Sequence, residues 1–298
     1  MKASTIMNQK ASCIAFSLVC ISVLNAGPTQ GALPNNNDAK PSSTHEEGMS
    51  YFNGKNRTKD LAKARQMFEA AASSGDIRAK NMLGYMLLQG IGGPKDEAMA
   101  LTLLEQAANA NIAPAQINLG YMHEKGIATA KDLDVAISWY QKAASLNSLD
   151  GHLKLIDIFY FGLEGHQPDY IKALPHVKAA ATMNHPGSQN IYGTMLEFGQ
   201  ATQSDPPSAL HWYREAALQN DAKAQSNLGR MLRATAKTDM QIAEAYAWIK
   251  ISADQGEITA RVINADFEKS LSPSQKRLSN EKIADLQKTI AKNPKTNP

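Results

Sequence analysis

Six positions in this chain hold only glycine or asparagine, and they recur at a nearly fixed stride. They are Gly75, Asn111, Asn147, Asn184, Asn220 and Gly256, spaced 36, 36, 37, 36 and 36 residues apart. Glycine and asparagine are the two residues that most readily adopt the left-handed conformation that ends a helix. Ahead of each stands a pair of small residues: Ala-Ala at 71–72, 107–108, 143–144, 180–181 and 216–217, and Ser252-Ala253 at the sixth place. A helix that stops six times at one interval is an internal repeat, and a two-helix period of this length cannot bury its apolar face without its neighbours.

A second boundary lies inside each unit. Gly54, Gly90, Gly126, Gly162 and Gly199 are followed by Asp60, Asp96, Asp132, Asp169 and Asp205. Glycine stops helix A, and aspartate can accept hydrogen bonds from the free N–H groups that open helix B. The sixth unit departs from this, with Thr235 in the glycine column and Asp239 two residues early. The tetrapeptide LGYM at 83–86 and 119–122 raises a further point, because its glycine sits inside helix A. Gly48, Gly84, Gly120, Gly193 and Gly229 share that column, with Ile156 in the fourth unit. An interior glycine costs about 1 kcal/mol relative to alanine, so five of them imply a close helix approach as compensation. The column Ala64, Ala100, Ala136, Ala173, Ala209 and Ala245 offers matching small surfaces on helix B, and Trp139, Trp212 and Trp248 share another B column that is expected to fill the core between units.

The stretch "AQINLGYMHEKGIATAKDLDVAISWYQKAASLN" (115–147) resembles a Sel1-like repeat, a relative of the tetratricopeptide repeat. The matching positions are Ala115, Leu119, Gly120, Tyr121, Gly126, Asp132, Ala136, Trp139, Tyr140, Lys142, Ala143 and Ala144. The resemblance implies an all-α, right-handed solenoid of about six two-helix repeats over 43–268, in which helix A lines the inner surface. Residues 258–268 read as a seventh helix A, and 269–298 as a polar capping helix, opening at Ser272 or Ser274, with a frayed tail.

The first 26 residues have the positive start (Lys2, Lys10), the apolar run and the small residue (Ala26) of a secretory signal. Residues 27–42 read as a flexible linker, and both cysteines, Cys13 and Cys20, fall in the leader. Those features predict a periplasmic or secreted protein with neither disulfide nor thiol chemistry. Net charge is +3, and loss of Lys2 and Lys10 leaves about +1, too weak for sequence-independent nucleic-acid binding. No stable membrane insertion is expected after signal cleavage.

Nothing in the sequence assembles an active site. "GIGGPKD" (90–96) lacks the ending of a phosphate loop and aligns with the inter-helix loop of other units. The seven histidines are scattered over different columns, so neither a metal nor a cofactor is expected. The candidate for function is a face of helix A, three residues before and one, four and five after the packed glycine. It comprises Asn81, Tyr85 and Gln89; Tyr121 and Glu124; Asp157 and Tyr160, with Phe161; Asn190 and Thr194, with Phe198; and Arg230 and Arg233, with Ser226. These columns vary while the packing columns repeat, as a surface fitted to another protein would. The resemblance implies a non-enzymatic protein-binding module, one version being an immunity protein that neutralises a secreted toxic effector. A scaffold for an envelope assembly and an enzyme acting on cell wall are the alternatives.

Overall fold

In a computed structural model of the protein, residues 42–162, 165 and 167–293 are described. The expected leader, all but the last residue of the linker, His166 and residues 294–298 lie outside them. The described residues form fourteen helices and no strand. Six pairs supply the A and B helices: α1 (Ser43–Asn53) with α2 (Leu61–Ser73), α3 (Ile77–Gln89) with α4 (Glu97–Asn109), and α5 (Ala113–Lys125) with α6 (Leu133–Ser145). They continue with α7 (Leu149–Phe159) and α8 (Tyr170–Thr182), α9 (Pro186–Phe198) and α10 (Pro206–Leu218), and α11 (Ala222–Thr235) and α12 (Asp239–Asp254). Then come α13 (Ile258–Ser270) and α14 (Pro273–Ala291). The chain forms two compact units, one reaching Leu119 and the other starting at Gly120.

The caps are where the spacing put them. All six Gly/Asn positions have positive φ, from 58° at Asn147 to 95° at Gly256. The five aspartates are N-caps, each accepting from the backbone N–H three residues on, as Asp205 does from Ser208. The sixth repeat solves the same problem differently. Thr238, not Asp239, caps α12, in a reciprocal capping box with Gln241. Two turn residues were not foreseeable from their type. Ala128 and Ala201 adopt φ of 54° and 58°, in the column also occupied by Asn56 and Gly92. At Gly92 the column demands glycine, because a Cβ would lie 2.2 Å from the Leu61 carbonyl oxygen.

The core is built from the expected small surfaces. Ala64, Ala100, Ala136, Ala173, Ala209 and Ala245 are all fully buried. Of the tryptophans, Trp248 alone is fully buried. Trp212 packs beside Tyr192 at 5.3 Å, and Trp139 lies half-buried under the Lys142 ammonium at 3.6 Å. The column that fills the core is the next one along: Phe68, Leu104, Tyr140, Val177, Tyr213 and Ile249, each with no exposed surface. The C-terminal helix is more than a polar lid. Ser272 opens α14 with a capping box, and its Ile283, Leu286 and Ile290 pack on the cluster around Trp248. Asn293 then donates a hydrogen bond to the Leu218 carbonyl at the end of α10.

Candidate functional site

The packed glycines fix which face of helix A is left over. A Cβ at Gly84 would meet Leu104 at 2.8 Å, one at Gly120 would meet Tyr140 at 2.5 Å, and one at Gly193 would meet Tyr213 at 2.8 Å. Each close approach is to the core column of helix B. Where that side chain is tyrosine, its hydroxyl must be satisfied, and a glutamate four residues beyond the glycine does so. Tyr140 donates to Glu124 at 2.7 Å, and Tyr213 donates to Glu197 at 2.9 Å. Phe68 and Leu104 have apolar Phe52 and Leu88 in the same place. A cation from the following helix A then approaches each carboxylate: Lys154 reaches Glu124 at 3.9 Å, and Arg230 reaches Glu197 at 2.6 Å. Burial, with the glutamate charge adding to it, pushes both tyrosine hydroxyls well above their ordinary pKa, so they stay protonated as donors.

This packing sorts the predicted face. Glu124 is 2% exposed and belongs to the interior of its helix pair, so it cannot orient a partner; Asn81 is 7% exposed, and its side-chain oxygen is buried without a hydrogen bond among the described residues. Spacing alone places Glu124 on the surface face, but the hydroxyl 16 residues away draws it inward. Arg230 is half-committed to Glu197. Arg233, opposite Ile249 rather than a tyrosine, stays exposed and lies over the Phe267 ring at 4.1 Å. Gln89 is exposed in the first compact unit, and Tyr85 there is half-buried. In the second unit Tyr121, Tyr160, Asn190 and Thr194 are half-buried and Asp157 is open to solvent. Protein crowding around Asp157 raises its carboxyl pKa; Glu124 adds to the rise and Lys154 opposes it. Tyr160 stacks edge-on against Phe161 and packs beside Tyr170. Phe161 and Phe198, one column further on, are 61% and 63% exposed.

The structure gathers part of this face into one depression of about 270 Å³, lined by Asn190, Lys223, Ser226, Asn227, Glu257 and Thr259. These residues come from α9, α11 and the start of α13, so the column three before the glycine forms its floor. Asn227 donates to Asn190 across it at 2.9 Å.

A Sel1 repeat model matches residues 48–76, 77–112, 113–148, 157–185, 186–221 and 222–257, which together make up more than half of the chain. The chain belongs to the Sel1 repeat family. Among solved structures, a Sel1 repeat protein from Oxalobacter formigenes is 23% identical over 86% of this chain and 100% of that one, with a TM-score of 0.62. A protective antigen of uropathogenic Escherichia coli strains, described as having an SLR fold, is 23% identical over 87% of this chain, with a TM-score of 0.52. This chain spans 64% of that antigen's length. An immunity protein from Pseudomonas aeruginosa is 16% identical over 88% of this chain and 90% of that one, with a TM-score of 0.43, a likeness too low to bear on function. No curated protein sequence matches. The likenesses to the first two structures carry the fold alone.

As a Sel1 repeat protein the chain is a protein-interaction module, and one layer of it was not legible in the sequence. Gln116, Gln189 and Gln225, four residues before the packed position, are buried and donate to the Ala108, Ala181 and Ala217 carbonyls. Each therefore adds a side-chain donor to a carbonyl in the last turn of the preceding helix B that already accepts from the backbone N–H of Asn111, Asn184 or Asn220. Gln219 and Gln255 extend this into amide ladders, bonding Gln189 and Gln225 at 2.7 Å. Among the described residues no three His, Cys, Asp or Glu side chains cluster to hold a metal ion, and no helix is long and apolar enough to cross a membrane.

Proposed function

We propose that this Sel1 repeat protein is an exported, non-catalytic module that binds another protein through the solvent-facing columns of its A helices. The observation that carries the reading is the pair Phe161 and Phe198. They occupy one repeat column, Phe198 as the last residue of α9 and Phe161 two residues past the end of α7, and expose about three-fifths of their surface, where packing requires no aromatic ring. Rings held at helix ends lose little entropy when a partner covers them. Tyr121, Asp157, Tyr160, Asn190, Thr194, Arg230 and Arg233 flank them, with Tyr85 and Gln89 in the same columns of an earlier repeat. The narrower version, an immunity protein that neutralises a secreted toxic effector in the periplasm, rests on analogy with other exported family members.

The test is affinity capture of the partner from envelope extract of the host, followed by measurement of its binding to the variant Phe161→Ala/Phe198→Ala. The reading expects helicity to be retained and binding to weaken by roughly 30-fold or more, the effect of losing two aromatic anchors. Undiminished binding would remove this face from the account. Death of a deletion strain on exposure to a neighbouring cell's effector would select the immunity version, and turnover of cell-wall substrate by pure protein would select the enzymatic alternative.

A further inference from the structure

We infer that the outer stripe of α13 is a self-association surface, on which the same helix of a second copy packs antiparallel about a two-fold axis. Ile258, Val262, Ala265 and Lys269 recur at helical spacing and share that stripe. Ala265 stands in the packed column, which is buried in all six earlier A helices, yet it is exposed. Val262 and Ile258 are 67% and 77% exposed, in columns that are buried or half-buried in every earlier helix A among the described residues.

The reason is a missing neighbour. In the earlier repeats the packed glycine meets the helix B of its own repeat, as Gly193 meets Tyr213. The column three before it meets the next helix A, as Asn190 meets Asn227. Helix α13 has neither, because α14 turns onto α12 and the cluster around Trp248. An apolar stripe left open in this way is a docking surface. The chain's own end does not supply the cover. Asn293 is held at the Leu218 carbonyl, and the five residues beyond it, Pro-Lys-Thr-Asn-Pro, carry no large apolar side chain.

Charge makes a second copy the occupant. Arg261 and Glu268 lie on one rim of the stripe, seven residues apart, with Ala265 close to midway. Both are exposed, and neither makes an ion pair among the described residues. Arg261 donates from Nε to the Ala253 carbonyl at 3.4 Å, and Glu268 has the Tyr246 hydroxyl beside it. In an antiparallel pair related by a two-fold axis, each rim meets the same rim of the other copy in reverse order. With the axis beside Ala265, Arg261 of each copy comes opposite Glu268 of the other, so one pairing is made twice. The small alanine lets the two helices approach closely at the crossing. Asp266, on the opposite rim, is balanced by Lys269 of its own helix at 4.0 Å.

The contact is one helix wide, at the small end of specific interfaces, so a dissociation constant of roughly 10 µM to 1 mM is expected. The test is sedimentation velocity of the purified protein across that range, where the mass is expected to rise from one chain to two and stop there. Ile258→Ser/Val262→Ser, with an unchanged circular dichroism spectrum, is expected to weaken association by roughly tenfold or more, since two exposed apolar side chains lose their burial. Arg261→Glu and Glu268→Arg are each expected to weaken it too. An equal mixture of those two variants associates again, because the mixed pair restores opposite charges on both sides of the axis. Phe161→Ala/Phe198→Ala is expected to leave self-association unchanged, so this inference and the proposed partner-binding face fail separately. A one-chain mass throughout, as when residues 1–41 or an unrelated protein cover the stripe, would overturn the inference. So would a mass climbing past two chains, association indifferent to the double serine variant, or no recovery in the mixture.

Discussion

Repeat five and repeat four have the same plan and opposite tolerances. In repeat five, α9 and α10 meet through Gly193 and Tyr213, the tyrosine hydroxyl is bound to Glu197, and Gln189 ties α9 to the end of α8. In repeat four the packed column holds Ile156, the core column holds Val177, and the glutamine column holds His152. With isoleucine between them, α7 and α8 pack less extensively than α9 and α10. Repeat four compensates at its other edge. At Gly151 a Cβ would lie 2.6 Å from the Ala144 backbone nitrogen, whereas the equivalent positions in other repeats are Ala79, Ala115, Ser188, Ala224 and Ala260. The fourth helix A has moved its close contact from its own partner to the helix before it. The family model, which matches this repeat only from residue 157, misses the same stretch. One glycine per repeat must make a close approach, and the sequence can choose which joint receives it.

Four substitutions test that contrast, beginning with the largest expected effect. Gly193→Leu is expected to lower unfolding stability by about 3 kcal/mol, as overpacking against a buried ring does, whereas Ile156→Leu in the equivalent column changes volume little and costs less than about 1.5 kcal/mol. Urea unfolding followed by circular dichroism measures both. Gly151→Ala comes next, at about 1–3 kcal/mol, since the atoms in its way are backbone, while Ser188→Ala in repeat five is expected to cost less. Equal effects at 151 and 188 would remove the claim that repeat four has shifted its contact.

The third test uses pH. His152 and His176 face each other through their Nδ1 atoms at 3.1 Å, with ring centroids 5.3 Å apart, so the two nitrogens lie on the line between the rings. One must carry the hydrogen and the other must accept it. Burial, with the His152 charge adding to it, pushes the His176 pKa down to about 4, and burial also lowers that of His152. The folded form therefore favours neutral rings. Their contribution is fully present above the ordinary value of 6.5 and is lost as pH falls from there towards 4. Phe159 stacks on His176, and no carboxylate contributes to the shift of either ring. Between pH 7 and pH 5 the wild-type protein is expected to lose about 1–2 kcal/mol more than His176→Phe does. Parallel pH profiles for the two proteins would show that the pair does not titrate as a unit. The smallest effect belongs to Tyr213→Phe, about 1 kcal/mol for a hydroxyl that reaches both Glu197 and Thr194, since the carboxylate keeps Arg230.

What the sequence revealed and what it hid divide along physical lines. Helix ends depend on backbone conformation, so Gly and Asn at a fixed stride disclosed every B-helix terminus from Gly75 to Gly256. Small-residue columns likewise announced themselves, because Ala209 or Gly193 is costly to explain any other way. Pairing across helices stayed hidden. That Glu124 turns inward depends on Tyr140 being the ring opposite Gly120, a fact of helix phase that spacing on one helix does not contain. The tryptophan column was placed one residue away from the true core column for the same reason. Ala128 and Ala201 could not advertise a left-handed turn, since alanine gives no such signal. The depression at Ser226 needed three helices, and what its sequence column foretold was only that Asn190 and Ser226 share a face.

The most direct measurement is a double-mutant cycle at the joint that defines the architecture, comparing Gly193→Leu, Tyr213→Ala and the two combined by urea unfolding. If glycine is present so that the tyrosine ring can lie against bare backbone, removing the ring makes room for leucine. The cost of Gly193→Leu then falls by at least about 1 kcal/mol in the Tyr213→Ala background, well beyond the additivity error for independent sites. Strictly additive costs would mean that the glycine and the ring do not share that space, and the account of how these helices stack would be contradicted.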